Sequence, residues 1–144
     1  CDAISEADIY INGTIADIKS KECEGRINAA LKSLVDIRYN KLSYITNFLS
    51  NPKDLYDIFN QNAMQMTLVD KADNNKYALD EIDNHITNNT SRNLQITMKS
   101  ILQKFSQAPF GWKELDIQGL VLRLFKSQEI RVIQGGESIP PDII

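Results

Sequence analysis

Apolar residues recur along most of this chain at steps of three and four, the mark of amphipathic helices. Ile27, Ala30, Leu31, Leu34, Val35, Leu42, Ile45 and Leu49 make one such stripe. It predicts a long helix with Ser20 as cap, Glu22 and Glu24 in the first turn, a kink or break near residue 40, and one buried face. Pro52 ends the pattern. Asn51-Pro52-Lys53-Asp54 then reads as a new helix start with proline at the first position, and Leu55, Ile58, Phe59 and Met66 extend a shorter helix. Three further helices follow from the same periodicity. The first covers 76–87 with Ala78, Leu79, Ile82 and Ile86 inward, and the second 93–106 with Leu94, Ile96, Ile101, Leu102 and Phe105 inward. The third covers 113–127 and buries Leu115, Ile117, Leu120, Val121, Leu124 and Phe125.

Two stretches break from the helical period. Residues 8–18 set short β-type runs on either side of Asn12-Gly13, a dipeptide suited to the positive φ angles of a type I′ hairpin turn. Residues 129–134 alternate like a strand, Gly135-Gly136 turns it, and Ser138-Ile139 returns. Three helices followed by a hairpin is the element order of a winged helix. The fold class expected is therefore mainly α with small β-hairpins (α+β), a helical spacer followed by a winged-helix-like three-helix unit. Residues 67–74 are turn-like, which places the domain division at 1–72 (hairpin plus helical segment) and 73–144 (winged-helix-like, with a C-terminal wing). The tail from Pro140 looks like the start of a linker.

Composition is ordinary for a soluble domain: 144 residues, 42% apolar and 24% charged. No apolar run approaches ~18 residues, so no membrane-spanning helix is expected. Cys1 and Cys23 fall in no zinc or disulfide framework, which points to a reducing, cytoplasmic setting. The chain opens on Cys1 without an initiator Met, which a boundary inside a longer protein explains; a lipidated amino-terminal cysteine is the alternative. Charge is uneven. The net charge of −3 divides into −5 over 1–90, +4 over 91–134 and −2 in the tail.

Catalytic chemistry finds little footing. No P-loop run is present, and Gly135-Gly136 lacks the third glycine and following helix that a dinucleotide site needs. His85 is the only histidine, with Glu81 four residues before it as a local partner. Asp70, Asp73, Asp80, Glu81 and Asp83 are clustered but lack the alternating spacing and closing Glu of a calcium loop. Trp112 beside Pro109 and Phe110 reads as a corner locking two helices, with a stacking surface as the alternative. No catalytic, cofactor or metal residue is assigned. The basic residues of 91–134 carry the remaining interest. As a winged helix, the third helix would expose Lys113, Asp116, Gln118, Gly119, Leu122, Arg123 and Lys126, with Arg131 on the wing. Glu114 and Asp116 would repel phosphate and Leu122 suits a protein surface, so protein docking through Lys113, Leu122, Arg123, Lys126 and Arg131 is favoured over direct DNA contact by the same set.

Three passages, in order, resemble a known family. They are IYINGT (9–14), YNKLSYI (39–45) and, most specifically, APFGWKELDIQGLVLRLFKSQEI (108–130). Together they resemble the region beyond the ATPase core of the large P-loop ATPase of BREX phage-defence systems, called BrxC or PglY. Gln128 departs from the family pattern, which usually has glycine before Glu-Ile. The resemblance implies a non-catalytic piece of an AAA-type ATPase, with ATP and Mg needed by the parent protein and no catalytic residue carried here. The partners it implies are other BREX proteins or the parent's ATPase domain, with DNA possible and no membrane.

Overall fold

The computed structural model describes residues 2–60 and 75–141. The element order is α1 (Asp2–Glu6), β1 (Tyr10–Ile11), β2 (Thr14–Ile15), α2 (Cys23–Arg38), a 3-10 turn (Leu42–Tyr44), α3 (Lys53–Asn60), α4 (Lys76–Thr90), α5 (Met98–Phe105), α6 (Glu114–Lys126), β3 (Val132–Gln134) and β4 (Glu137–Ile139). The fold is thus mostly helical with two small antiparallel hairpins, and α4–α5–α6–β3–β4 is the winged-helix order read from the sequence. Both hairpin turns use consecutive positive φ angles, Asn12 and Gly13 in one and Gly135 and Gly136 in the other, as two-residue type I′ turns require.

One core holds α4, α5 and α6 together. Ala78 and Ile82 from α4, Ile101 and Phe105 from α5, and Ile117, Leu120 and Leu124 from α6 are buried in a single cluster with Phe110, Trp112 and Ile45. The corner 106–112 enters that core. Trp112 stacks on Phe105 (5.1 Å between centroids, 7° between planes), and Phe110 meets both rings edge-on. The Trp112 indole N–H donates to the Lys41 carbonyl at 2.9 Å, and the Lys41 N–H donates to the Pro109 carbonyl at 3.0 Å. Passages 39–45 and 108–112, remote in sequence, therefore meet in space. The expected division at 72/73 falls among residues outside the description, as do Met66, Asp70 and Asp73; the chain on either side of it shares this core.

Several expected elements are redrawn. The long helix over 20–49 ends at Arg38, matching the break expected near residue 40, but it begins after Glu22 rather than being capped by Ser20. Beyond it the spacing of Leu42, Ile45 and Leu49 comes from a 3-10 turn and an irregular strap, residues 45–50, with Ile45 buried in the core. The expected buried stripe of α2 is the larger correction. No residue of α2 is buried, and Ile27, Leu31, Leu34, Val35 and Ile37 are 41–55% exposed. The helix expected over 93–106 starts only at Met98. Asn93 adopts φ 56°, Leu94 lies 54% exposed, and Thr97 and Ser100 form a capping box that sets the start.

The start of α3 follows the sequence reading. The Asn51 side chain accepts from the Lys53 N–H at 2.9 Å, while Asp54 accepts from the Ser50 and Asn51 amides. Those two backbone donors hold the Asp54 carboxyl below its usual value.

The end of α6 also meets the family comparison made on sequence. The Gln128 N–H donates to the Phe125 carbonyl and the Glu129 N–H to the Leu124 carbonyl, a Schellman turn with Gln128 at φ 63°. Glycine belongs at such a position, and a glutamine there carries left-handed strain. Gln128→Gly is expected to raise unfolding stability by about 0.5–1 kcal/mol in urea titrations, with the wing retained.

Candidate interaction surface

In a winged helix the outward face of the third helix is the one that reaches a nucleic-acid groove or a partner. Here the chain itself occupies much of that face. Among the described residues α6 makes its most extensive helix contact with α3. Three residues of α6 explain the fit. Asp116 is only 3% exposed, and its Oδ1 accepts the Leu49 N–H at 2.7 Å. Gly119 lies where any added Cβ would meet the Leu49 side chain at 2.5 Å and Ile58 at 3.5 Å, so the missing side chain is what lets the strap lie close. Lys126 is 7% exposed, sits 5.0 Å from the Phe59 ring centre, and donates to the Pro141 carbonyl at 3.0 Å. The strap is fixed at its other end by Asn75, whose Oδ1 accepts from the Thr46 and Asn47 amides and whose Nδ2 donates to the Asn47 carbonyl.

The residues singled out by sequence are therefore scattered. Asp116, Gly119 and Lys126, expected on the open face of the third helix, are buried against Leu49, Ile58 and Phe59. Arg123 is half-buried, lines the narrow cleft with Leu49, Ile58 and Asp116, and has interactions of its own. Leu122 is half-buried, while Lys113 and Arg131 are exposed. The part of α6 turned from both the core and α3 carries Glu114, Leu115, Gln118 and Leu122, with no basic residue. One sequence signal for the strap was present and missed. A glycine inside an apolar helix costs ~1 kcal/mol against alanine, so Gly119 needed a packing reason.

His85 does not pair with Glu81 as its spacing suggested. Glu81 instead forms an ion pair with Lys41. The Asn89 amide nitrogen donates to the His85 carbonyl at 2.7 Å and lies 3.0 Å from the ring Nδ1. Burial, then the nearby Lys104 charge, push the His85 pKa below its ordinary value. A histidine held neutral in the fold takes up its proton more readily when unfolded. Its stabilising contribution is complete above the ordinary pKa of 6.5 and declines as pH falls below it. His85→Gln is expected to flatten the fall in melting temperature between neutral and mildly acid pH, as read by calorimetry across that range.

A three-helix core, a Phe-Gly-Trp corner sealing it and a two-stranded wing after the third helix define a winged-helix domain. A family model described as "BREX ATP-binding protein BrxC winged helix-turn-helix domain" matches residues 41–143. The chain belongs to that family, as a domain of a BREX ATP-binding protein rather than a catalytic domain. The match begins at Lys41, the residue whose backbone is bonded to Trp112 and Pro109. No solved structure matches the chain.

Proposed function

We propose that this domain is a non-catalytic docking module of a large BREX ATPase in phage defence, holding other BREX proteins or the parent's own ATPase domain. One observation carries the reading: in the apolar stripe of α2, Ile27, Leu31, Leu34, Val35 and Ile37 stay about half exposed, with no residue of that helix buried. Exposed apolar area on this scale is costly in water and marks protein contact surfaces. The direct-DNA alternative is weakened by geometry, because Lys126 is spent on Phe59 and Pro141. What still favours it is that Lys113 and Arg131 remain exposed. A cytoplasmic location belongs to the same proposal, motivated by the absence of a cysteine scaffold in the sequence. Among the described residues no helix is long and apolar enough to cross a membrane.

The test uses the purified BREX proteins and the ATPase region of the parent, each presented to this chain. At micromolar concentration one of them should be retained, and the double variant Leu31→Asp, Leu34→Asp should lose it while keeping its melting temperature. Absence of binding to every component, or retention by the double variant, contradicts the reading. A duplex titration at ~50 and ~200 mM salt addresses the alternative, since phosphate contacts weaken steeply across that range.

A further inference from the structure

Away from α2 and α6, the C-terminal half of α4 and the end of α5 face each other across an open polar cavity of about 660 Å³. Its lining is unusual for a chain of net charge −3. Lys41, Arg92 and Lys104 border it, against a single carboxylate, Glu81, already engaged by Lys41. Asn84, Asn88 and Asn89 come from the same face of α4 as His85, four polar side chains at helical spacing. Lys104 and Arg92 are exposed, so neither charge is consumed in the core. Phe110 and Pro109 form an apolar floor on which Lys41 is steadied, 5.2 Å from the Phe110 ring centre.

The protonation of His85 fits the same cavity. The Asn89 nitrogen that donates to the His85 carbonyl is thereby fixed as the amide donor, and its second hydrogen serves Nδ1. Nδ1 is then an acceptor, and in the neutral ring the proton sits on Nε2. The lining thus includes an imidazole, an Arg fork, a Lys ammonium and amide groups, a polar set with excess positive charge. That is the chemistry that recognises a phosphate group, through bidentate Arg contacts and point charge from Lys.

We propose that this cavity is a phosphate-binding site, with Arg92 and Lys104 supplying the charge and His85, Asn84 and Asn88 the neutral hydrogen bonds. The phosphate is either a free anion or one unit of a nucleic-acid backbone, and both share these contacts. The site is independent of the α2 docking face, so either proposal can fail alone.

His85 is the only histidine, so its ring signals in proton NMR report this cavity without ambiguity. The full chain is titrated separately with inorganic phosphate, with duplex DNA and with a poly-glutamate peptide. Phosphate or duplex should move the His85 signals saturably and raise its apparent pKa, because an anion offsets the Lys104 charge. Arg92→Glu and Lys104→Glu should each weaken that response about tenfold or more, the loss of one charge-assisted bond. Lys32→Glu, on the exposed side of α2 and away from the cavity, should leave it unchanged. A response to phosphate itself identifies a free-anion site; one confined to duplex, and falling steeply between ~50 and ~200 mM salt, identifies the backbone of nucleic acid. Either outcome supports the proposal. It is overturned by no response to either probe, by a response that survives both reversals, or by one given only by poly-glutamate.

Discussion

Trp112→Ala is expected to lower the unfolding free energy by about 3–5 kcal/mol, the range for emptying a buried aromatic site. Trp112 is buried and joins three pieces of chain: it stacks on Phe105 at the end of α5, meets Phe110 across the corner, and donates to the Lys41 carbonyl. Removing it leaves a cavity that two aromatic rings border, and the Lys41 carbonyl keeps only its bond from the Tyr44 N–H. Trp112→Phe separates the two effects. It keeps most of the packing and loses one of the two hydrogen bonds to the Lys41 carbonyl, so it should cost about 0.5–1.5 kcal/mol. Because Trp112 is the sole tryptophan, unfolding is followed by circular dichroism rather than fluorescence. A ring that merely stacked on a ligand at the surface would cost within about 0.5 kcal/mol when removed.

Gly111→Ala should cost about 2–5 kcal/mol, from two separable sources. Gly111 has φ 67°, where an L side chain loses about 1–2 kcal/mol. An added Cβ would also lie 2.6 Å from the Tyr39 ring, and overpacking of this kind costs about 1–3 kcal/mol. The double-mutant cycle with Tyr39→Ala distinguishes them. In that background the steric part disappears, and Gly111→Ala should cost only the backbone part of about 1–2 kcal/mol. Equal costs in both backgrounds would mean that Tyr39 does not rest on the corner.

These two residues were legible before any coordinates, and the reason is local chemistry. Phe110-Gly111-Trp112 is short and apolar, and carries a glycine where a turn needs one. The same holds for Asn12-Gly13, Gly135-Gly136 and the Asn51-Pro52 helix start. Their conformations are set by residues within a few positions of each other. What the sequence left hidden are contacts made across many residues. Periodicity showed that α2 is amphipathic, but not that its apolar face would stay about half exposed. It also drew Leu42, Ile45 and Leu49 into that helix, although Ile45 turns to the core and Leu49 to Gly119 from an irregular strap. Likewise the charges of α6 were counted correctly, while their availability depended on α3. Lys126 looks like a groove contact on a helical wheel, but Phe59 and Pro141 take it up. For Leu94, an asparagine start at 93 competed with the Thr97–Ser100 box, and the box won because it satisfies two amide donors.

The preference for docking over direct DNA contact through α6 rests on the strap being docked, since a free strap would return the outer face of α6 to solvent and revive its use as a groove-reading helix. Native-state amide hydrogen exchange at Leu49 tests this most directly, because its N–H donates to the buried Asp116 carboxylate. The docked arrangement predicts that Leu49 exchanges as slowly as the core amides of Leu120 and Leu124 in α6, and that Asp116→Ala abolishes the protection. Exchange at the rate of a free loop in the unmodified chain would contradict it.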